Sequence, residues 1–508
     1  MLILLHSNGG PALGIGHVMR SIALAEEALA AGHRVVLAGE IEGDFLRQQI
    51  DALPGLELVP VRRPADRALA DLVRDLAPDV VHLDTYDVDV DPVSWDDRRR
   101  ATPLLSNIED GVFGRRGAGL VIDPSFGADA EPRGAADDAV LLRGSHYAPL
   151  RRSVSGKRGG WVARPRAEAV LVVMGGTDPM RMTGPVLELL GRTGLELRVT
   201  AIVSGAAADP CAAVVAAHPQ LDVHLSPPMD DLPAAMVAQD LVISAAGTSV
   251  WELCCLGVPT ALVCTVENQR VGYDGVVSAG AAIGLGSSGA QLLEQATVER
   301  LRGALQDDDV RRSLAGKASQ IVDGLGAWRV VRAWEQLAPG APSRPVGELP
   351  RVREADASDA RSLWSWRNDP TTRAGSLQQD EIPFEDHLRW LTGTIERGDR
   401  LLLVAADASG DVGTVRWDRL ADAEWEVSIT VAPARRGESL SRGLLAAGER
   451  ELLRRTGRPT TAIAQVQDSN PASRRLFEAS GYVAHLPTDA AGVRTYARWL
   501  STEATASR

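Results

Sequence analysis

A strand-like apolar run that turns through two glycines into a helix opens the sequence. Leu2–Leu5 are apolar, Gly14 and Gly16 lie in the turn, and apolar residues then recur at helical spacing. Because glycine permits a tight turn and the first amides of a helix favour anions, this order predicts a parallel α/β unit with a ligand site at the turn. His17 follows the second glycine, where it either transfers protons near neutral pH or only packs at the turn.

The alternation of apolar runs with helical patterns continues through two successive stretches of chain. In residues 1–150, the predicted strands are Leu2–Leu5, Val35–Ala38, Val80–Leu83, Pro103–Ser106 and Leu120–Ile122. In residues 166–338, they are Ala169–Met174, Arg198–Val203, Leu221–Leu225, Leu241–Ser244 and Thr260–Val263. Strands that alternate with helices form parallel sheets, and ligands bind at the carboxyl ends of such strands. We therefore predict two Rossmann-like units that meet at a cleft.

Residues 339–350 are rich in proline and small residues, a composition typical of an exposed, fairly stiff linker. The segment that follows, residues 351–500, holds most of the tryptophans and has a strand-rich middle. We therefore expect a third, independent domain after the linker.

Composition limits the binding partners and cellular compartments that we expect for this chain. The 508-residue chain has 54 basic and 67 acidic residues, a net charge of −13, which argues against a general nucleic-acid or membrane-surface binder. The four cysteines lack the paired spacing of a metal site, and we expect them to be reduced and buried. The sequence has neither a signal-peptide pattern nor an apolar run near about 18 residues. These observations predict a cytoplasmic protein.

Polar and small residues follow two predicted strands of the second unit. Gly176 and Thr177 suit the approach of a phosphate or its sugar, while Gly247 and Thr248 would admit a diphosphate to a helix N-terminus. Glu252, one turn into that helix, either accepts hydrogen bonds from a ribose diol or completes a capping box.

A polar cluster follows a third strand of the same unit. Asn268 and Gln269 either hold sugar hydroxyls and amides or belong to a solvated loop.

Taken in order, residues 1–335 resemble the UDP-sugar hydrolases of the pseudaminic acid pathway, relatives of the glycosyltransferases with the two-domain GT-B fold. The resemblance implies that His17, in Gly14-Ile15-Gly16-His17-Val18-Met19-Arg20, is the catalytic group. The family's substrate contacts would then fall on Tyr86, Gly176, Thr177, Gly247, Thr248, Glu252, Asn268 and Gln269. Asp87 departs from the family pattern, which often has glycine there.

The reaction that this resemblance implies is hydrolysis of UDP-2,4-diacetamido-2,4,6-trideoxy-β-L-altropyranose to the free sugar and UDP. Neutral His17 would accept a proton from the attacking water, while helix ends and amides stabilise the charge growing on the diphosphate. This scheme requires no metal. Gly16 and Arg20 are further substrate-binding candidates, and Arg20 pairs either with phosphate or with an acidic neighbour such as Asp84.

A strand, a turn and a helix also occur in sequence within the third domain. Residues 426–431 have the pattern of a strand, and Ala434–Ser441 lead from it into a helix. This arrangement presents amides to a pyrophosphate, with Arg435 or Arg436 adding charge. Together with Asn470, these segments resemble the GNAT acetyltransferases across the third domain.

The GNAT resemblance implies acetyl-CoA as acyl donor. Its pantetheine would pair with the strand that ends at Val431, its pyrophosphate would bind the 436–441 loop, and Asn470 would lie beside it. Ser439 and Ser441 replace glycines of the usual Arg-Gly-x-Gly-x-Gly loop, and serine is less free to adopt positive φ. The predicted loop contacts are Arg436, Gly437, Glu438, Ser439 and Ser441.

Candidate catalytic groups of this domain are few. Glu426 is either the general base for the sugar's 4-amino group or an ordinary glutamate on a surface strand. Phe477 stands where many relatives have a tyrosine that protonates the departing thiolate, and phenylalanine cannot do this. Solvent or Tyr482 would supply the proton instead, or Tyr482 only packs.

Two aromatic segments narrow the GNAT resemblance. Residues 366–370, Trp-Arg-Asn-Asp-Pro, and residues 387–391, His-Leu-Arg-Trp-Leu, are similar to the N-acetyltransferase that acts before the hydrolase in the same pathway. Trp366 and Arg367 are therefore substrate-binding candidates, and His387 is a structural or substrate-positioning residue.

Together the resemblances imply a bifunctional enzyme that N-acetylates the 4-amino group of a UDP-2-acetamido-4-amino-2,4,6-trideoxy sugar and then releases UDP by hydrolysis. The expected fold class is α/β, with two Rossmann-like units of GT-B type followed by a GNAT-fold α+β acetyltransferase domain. The expected partners are a UDP-linked amino sugar and acetyl-CoA, with no nucleic acid, membrane or metal. The alternatives are a GT-B glycosyltransferase using a UDP-amino sugar, and a nucleotide-sugar sensor fused to an active acetyltransferase.

Overall fold

A computed structural model describes the chain except for residues 11–12, 87–102, 131–138, 176–177, 179, 204–207, 340–348, 422, 487, 489–490 and 502–508. The chain divides into two compact units, one of Met1–Glu131 with Leu142–Val331 and one of Pro132–Leu141 with Arg332–Arg508. The first unit holds two parallel sheets. Most of the predicted linker lies outside the described residues.

The first sheet has the strand order β3-β2-β1-β4-β5-β6-β7. Its strands are β1 Leu2–Ser7, β2 Arg34–Gly39, β3 Leu56–Pro60, β4 Val80–Asp84, β5 Leu104–Ile108, β6 Leu120–Asp123 and β7 Val140–Arg143. The pairings from β3 through β6 are all parallel. The edge strands β3 and β7 were not predicted, because β3 has no fully buried residue and β7 buries only alternate residues.

The second sheet has the order β10-β9-β8-β11-β12-β13. Its strands are β8 Ala169–Val173, β9 Leu197–Ile202, β10 Leu221–Ser226, β11 Leu241–Ala245, β12 Thr260–Val263 and β13 Ile283–Gly284. Both orders reverse direction beside the first strand of the sheet, at β1/β4 and at β8/β11, which is where doubly wound sheets bind ligands. The predicted pair of Rossmann-like units is confirmed.

Helices cover both faces of these sheets, so the central strands are buried on both sides. After the second sheet the chain returns to the first, where buried Arg329 donates to the His146 carbonyl at 2.5 Å. The helices are α1 Gly16–Ala30, α2 Asp44–Asp51, α3 Asp66–Leu76, α4 Arg152–Ser155, α5 Thr183–Arg192, α6 Ala208–Ala217, α7 Leu232–Val237, α8 Ser249–Leu256, α9 Arg270–Ser278, α10 Gly289–Leu292, α11 Gln295–Gln306, α12 Asp308–Ile321 and α13 Gly326–Leu337. All four cysteines are buried and free, as expected.

The C-terminal unit is built on one mostly antiparallel sheet of order β14-β15-β16-β17-β18-β20-β19. Its strands are β14 Arg351–Glu354, β15 Arg400–Asp407, β16 Gly410–Ala421, β17 Glu424–Val431, β18 Thr460–Gln467, β19 Val483–Leu486 and β20 Val493–Leu500. Its helices are α14 Ala360–Asn368, α15 Pro370–Ala374, α16 Phe384–Ile395, α17 Ser441–Thr456 and α18 Pro471–Ala479. One face packs on α17 through a core that includes Trp417, while α14 and α16 enclose a second core with Leu402 and Val404. This is the predicted GNAT-type α+β domain.

Within the described ranges, no helix combines the length and apolar character needed to cross a membrane.

Candidate functional site

The turn between β1 and α1 places His17 in the first helical turn. Gly10 and Gly14 exchange backbone hydrogen bonds at 3.0 and 2.9 Å, and Gly14 adopts a φ of +79° that glycine tolerates without strain. Helix α1 begins at Gly16 with neither a side-chain cap nor an acidic residue in its first turn. Its first amides are therefore left for a ligand or solvent.

The imidazole of His17 is oriented by a buried carboxylate. His17 Nδ1 lies 2.6 Å from Asp84 Oδ1, at the carboxyl end of β4, and 19% of the histidine side chain is exposed. Burial alone would raise the pKa of Asp84, but Arg20 and then His17 hold it well below its usual range. An ionised carboxylate cannot donate, so Nδ1 carries the proton and donates it to Asp84. In the neutral imidazole, the other ring nitrogen, Nε2, is then the one without a proton and can act as a base.

Arg20 joins Asp84 to a second carboxylate. Its guanidinium donates to both oxygens of Asp84, at 2.9 and 2.7 Å, and to both oxygens of Asp110, at 2.5 and 3.1 Å. Arg20 Nη2 also lies 2.9 Å from His17 Nδ1, a proximity that follows from the shared Asp84 oxygen, because both groups are donors there. The predicted pairing with Asp84 is present. Two carboxylates occupy the guanidinium, so it is not available to bind phosphate.

Asp110 is a site residue that the sequence interpretation missed. It comes two residues after β5, which lies beside β4 in the sheet, so its carboxylate reaches the same edge as Asp84. The position of an acidic residue just after a strand was the available signal. Burial would raise the pKa of Asp110, but Arg20 lowers it.

Tyr86 connects this cluster to the second parallel sheet. Its hydroxyl donates to Asp110 Oδ2 at 2.5 Å. The Asn268 side chain, from the loop after β12, is near enough to oppose the rise in the pKa of Tyr86. The ring meets His17 edge-on at a centroid distance of 4.7 Å. Burial and Asp110 raise the pKa of Tyr86, so the phenol stays protonated at neutral pH. Asp87, the departure next to it, lies outside the described residues.

The N-termini of α1 and α8 approach each other. A Cβ at Gly16 would lie 3.2 Å from Thr248 Cγ2 and 3.3 Å from its Oγ1, so glycine permits this close approach. Helix α8 starts after Thr248 without a side-chain cap. The capping-box interpretation of Glu252 is therefore wrong, because Ser249 is already the first helical residue and Thr248, the N-cap, makes no side-chain cap bond.

Glu252 instead faces Arg151, 3.5 Å away, and both side chains are largely buried. Burial raises the pKa of Glu252, with Arg151 opposing it. Arg151 also donates to Gln49 at 2.8 Å, which ties this glutamate to the first sheet's helices. Its predicted ribose contact stays a prediction.

In the polar cluster after β12, Gln269 is hydrogen-bonded within the protein, whereas Asn268 is exposed. Gln269 Oε1 accepts from the Thr265 amide at 2.9 Å, and the Gln269 Nε2 atom lies 3.5 Å from where a Gly247 Cβ would be. Asn268 is exposed and meets Tyr86. Predicted residues Gly176 and Thr177 lie outside the described residues.

In the C-terminal unit, β17 and β18 diverge. Their parallel ladder pairs only Glu424–Glu426 with Thr461–Ile463, whereas β17 pairs with β16 as far as Val431. The β18-facing side of residues 427–431 is left for another hydrogen-bonding chain, and Val431 lies at the end of this opening. A pantetheine amide chain is such a partner.

The loop after β17 has two residues in the left-handed region. Gly437 has φ +85° and Ser439 has φ +58°, so this serine adopts the conformation expected of the glycine that it replaces. Helix α17 then starts at Ser441 without a side-chain cap. The loop thus presents backbone amides at the mouth of the β17–β18 opening.

Both arginines of this loop, Arg435 and Arg436, form ion pairs with carboxylates. Arg435 pairs with Asp407 at 2.8 Å and Glu438 at 2.9 Å, so it does not add the free positive charge that we expected of it. Arg436 pairs with Asp369 at 2.6 Å and donates to Thr372 at 2.5 Å, on the exposed side of α15.

Asn470 and two aromatic residues of the same region make contacts within the protein, and the predicted place of Asn470 beside the coenzyme stays a prediction. Asn470 caps α18 through Ser473 and donates to the Gly375 carbonyl at 2.9 Å. Phe477 and Tyr482 are buried against each other at 4.9 Å between ring centroids. Burial and Glu449 raise the pKa of Tyr482 well above its usual value, which favours the packing role over thiolate protonation.

Glu426 lies on the sheet face opposite the Trp417 core. It is half-buried and faces Asp418 across the β16–β17 ladder. Burial and then Asp418 raise its pKa, while Arg416 opposes them. A carboxylate with a raised pKa is a better proton acceptor for an amine than an exposed one.

The predicted acceptor residues lie on α14, above this face. Trp366 packs on the core formed with Leu363, and Arg367 donates to the Gln378 carbonyl at 2.6 Å. His387, on α16, is buried beside Trp390, and burial followed by Arg367 lowers its pKa.

Comparisons with known proteins identify a family for part of the C-terminal unit and several distant relatives of the chain. Residues 351–483 match the family model described as an acetyltransferase (GNAT) domain. An uncharacterized protein of Methanocaldococcus jannaschii is 19% identical over 447 residues, which cover 85% of this chain and 86% of that protein. A spore coat polysaccharide biosynthesis protein of Bacillus subtilis, SpsG, is 25% identical over 201 residues, 39% of this chain and 58% of that protein. The crystal structure of MurG from Acinetobacter baumannii, 16% identical, covers 65% of this chain and 97% of its own, with a TM-score of 0.48.

Proposed function

Because the chain joins a GT-B-like pair of Rossmann units to a GNAT acetyltransferase domain, we propose that it is a bifunctional nucleotide-sugar enzyme. One domain acetylates the amine of a UDP-linked amino sugar with acetyl-CoA. The cleft of the first unit then hydrolyses the acetylated UDP-sugar to free sugar and UDP.

The contact between His17 and Asp84 is the observation that carries the hydrolase proposal. With its Nδ1 proton donated to Asp84, His17 has Nε2 free to take a proton from water. The water oxygen bonds to the anomeric carbon as the bond to the diphosphate oxygen breaks, and UDP leaves as an anion. UDP is a good leaving group, so one base suffices where ordinary glycosidases use two carboxylates.

The two uncapped helix ends supply the charge stabilisation. The start of α1 at Gly16 and the start of α8 after Thr248 lie close together, and both direct amides and positive dipole ends toward the cleft. This supports a diphosphate between Gly16, Gly247 and Thr248. We infer that Tyr86 and Asn268 bind the sugar and that Glu252 binds the ribose.

In the acetyltransferase domain, the β17–β18 opening and the 436–441 loop fit the pantetheine and pyrophosphate of acetyl-CoA, which supplies the thioester. Glu426 accepts the proton of the attacking amine. The new bond joins nitrogen to the acetyl carbon, the carbon–sulfur bond breaks, and solvent protonates the thiolate because Phe477 and buried Tyr482 do not.

The substrate that we propose is a UDP-2-acetamido-4-amino-2,4,6-trideoxy sugar, converted to UDP-2,4-diacetamido-2,4,6-trideoxy-β-L-altropyranose before hydrolysis. The resemblance to the pseudaminic acid enzymes supports this choice. The similarity to a protein of polysaccharide biosynthesis supports carbohydrate synthesis more broadly.

A glycosyltransferase is the second candidate for the first unit. Val112 and Phe113 are exposed, and the Phe113 ring lies 6.0 Å from the Tyr86 ring, so an apolar surface adjoins the site. An apolar sugar acceptor would bind there.

One assay tests these functions. Purified chain is supplied with acetyl-CoA and a panel of UDP-4-amino sugars, and acetylated nucleotide, free sugar and UDP are followed by mass spectrometry. We expect the acetylated nucleotide first, followed by equal amounts of free sugar and UDP. UDP release only after an acceptor is added would establish the transferase, and acetylation with no UDP release at all would favour a sensor.

A further inference from the structure

Three arginines gather on the Glu426 side of the C-terminal sheet. Arg367 lies on α14, Arg373 on α15 and Arg416 on β16. They are near enough that, after burial, the charges of Arg373 and Arg416 lower the pKa of Arg367. Arg416 is already compensated by Asp418, 2.7 Å away, but Arg367 and Arg373 have no carboxylate partner among the described residues. Because like charges repel, an anion bound at these two arginines would be favourable.

Their hydrogen bonds are incomplete. Arg367 Nη1 and Arg373 Nε are buried N–H groups with no partner among the described residues. Their other bonds go to neutral carbonyls, from Arg367 to Gln378 at 2.6 Å and from Arg373 to Gln379 at 3.5 Å. Within the part of the chain that the structure describes, neither arginine has a carboxylate partner, in contrast to Arg435 nearby. Buried donors without partners indicate a missing acceptor.

The cluster adjoins the proposed base. In the β16–β17 ladder, Arg416 faces Ser428 and Asp418 faces Glu426, so these side chains share one face of the sheet in neighbouring rows. Diagonal neighbours of this kind are about 7–8 Å apart. Arg416 itself pairs with Asp418 at 2.7 Å, and an anion bound beside it would lie within a sugar's length of an amine at Glu426.

The coenzyme loop lies on another side of the same short helix. Arg436 reaches Asp369 and Thr372 at the start of α15, whereas Arg373 points to the Gln379 carbonyl beyond its end. This separates the arginine cluster from the loop amides that we assign to acetyl-CoA.

We propose that Arg367 and Arg373 bind the diphosphate of the amino-sugar substrate, with Arg416, held by Asp418, adding positive charge beside them, so that the domain selects nucleotide-linked amines over free amino sugars. This inference rests on the proposed acetyltransferase function and names how it recognises its acceptor. Arg373 and Arg416 are specificity residues that the sequence interpretation did not include.

A kinetic comparison tests the selection. Acetyl transfer is measured with a UDP-linked 4-amino sugar and with the methyl glycoside of the same sugar, for the parent, Arg373→Gln and a control, Arg389→Gln, whose side chain is 80% exposed on α16. We expect Arg373→Gln to raise KM for the UDP-sugar at least tenfold while KM for acetyl-CoA and the activity on the glycoside stay unchanged. Equal KM values for both amines in the parent, or a raised KM for acetyl-CoA in Arg373→Gln, would overturn the proposal.

Hydrogen exchange with inorganic pyrophosphate provides a readout that does not depend on catalysis. In the full-length parent, we expect added pyrophosphate to slow amide exchange in residues 367–381. In Arg373→Gln, we expect pyrophosphate to have no such effect. Protection confined to 436–441, or none in 367–381, would reject the anion site. Protection there in a protein that acetylates neither amine would keep the anion site and reject the acetyltransferase assignment.

Discussion

His17 Nδ1 and Asp84 Oδ1 lie 2.6 Å apart, and the same carboxylate receives two hydrogen bonds from Arg20. Arg20 keeps Asp84 ionised, and ionised Asp84 fixes the proton of His17 on Nδ1. Which nitrogen of His17 faces the cleft as the proton acceptor thus depends on Arg20, whose guanidinium is bound by two carboxylates.

Asp84→Asn should therefore impair hydrolysis without removing the histidine. An asparagine can donate to Nδ1 and so favour the wrong tautomer, and we expect UDP release to fall by about 10²-fold or more. The measurement is UDP release from the acetylated UDP-sugar, with thermal unfolding recorded alongside, because opening a buried ion pair costs about 3–5 kcal/mol. Asp110→Asn is the matched control: it also removes a partner of Arg20 but leaves the His17–Asp84 contact. Equal losses in the two variants would argue against tautomer control.

Gly16→Ala tests the close approach of the two helix ends. The added methyl group would lie 3.2 Å from Thr248 Cγ2, so the diphosphate site must widen. We expect KM for the UDP-sugar to rise about tenfold, equivalent to about 1.4 kcal/mol, with acetyl transfer unchanged. Gly303→Ala on α11, where a Cβ meets nothing within 4 Å, should leave both activities unaltered. An unchanged KM in Gly16→Ala would place the diphosphate elsewhere.

If Glu426 is the general base, its protonation should cause the fall in acetyl-transfer rate at low pH, the acid limb of the pH–rate profile. Its pKa is raised by burial and by Asp418, so the rate should fall, as pH decreases, at a higher pH than an ordinary glutamate would give. Glu426→Gln should lower kcat by about 10²-fold and remove this limb. Asp418→Asn removes the like charge and should move the limb to lower pH. A limb that stays in place in both variants would exclude Glu426 as the base.

Ser439→Gly should relieve a strained backbone. A residue with a side chain at φ +58° costs about 1 kcal/mol relative to glycine, so we expect slightly higher stability in urea unfolding and tighter acetyl-CoA binding by up to about fivefold. Ser441→Gly, at the start of α17 and outside the left-handed region, should bring neither gain. A weaker affinity in Ser439→Gly would mean that the serine hydroxyl itself contacts the coenzyme.

The fold class could be predicted because the central strands are buried on both faces. β1, β4, β8 and β11 therefore appear in the sequence as continuous apolar runs. β3 and the two-residue β13 lack such runs, since one is half exposed and the other is too short to carry a pattern.

The site was only partly predictable. His17 and Tyr86 carry recognisable motifs, and the Arg20–Asp84 pair could be anticipated from their positions at a helix start and a strand end. Asp110 could not be paired with Arg20 without knowing that β4 and β5 are neighbours. The unpartnered nitrogens of Arg367 and Arg373 depend on three-dimensional contacts that spacing does not encode.

The central claim is that water, oriented by His17, attacks the anomeric carbon of a UDP-sugar acetylated by the same chain. The most direct test is to run the coupled reaction in ¹⁸O-labelled water, with acetyl-CoA and the UDP-4-amino sugar, and to read the label in UDP by mass spectrometry. We predict unlabelled UDP formed together with free acetylated sugar, and loss of both products in His17→Ala while the acetylated nucleotide still accumulates. UDP that carries ¹⁸O, or UDP released at the parent rate by His17→Ala, would contradict the account.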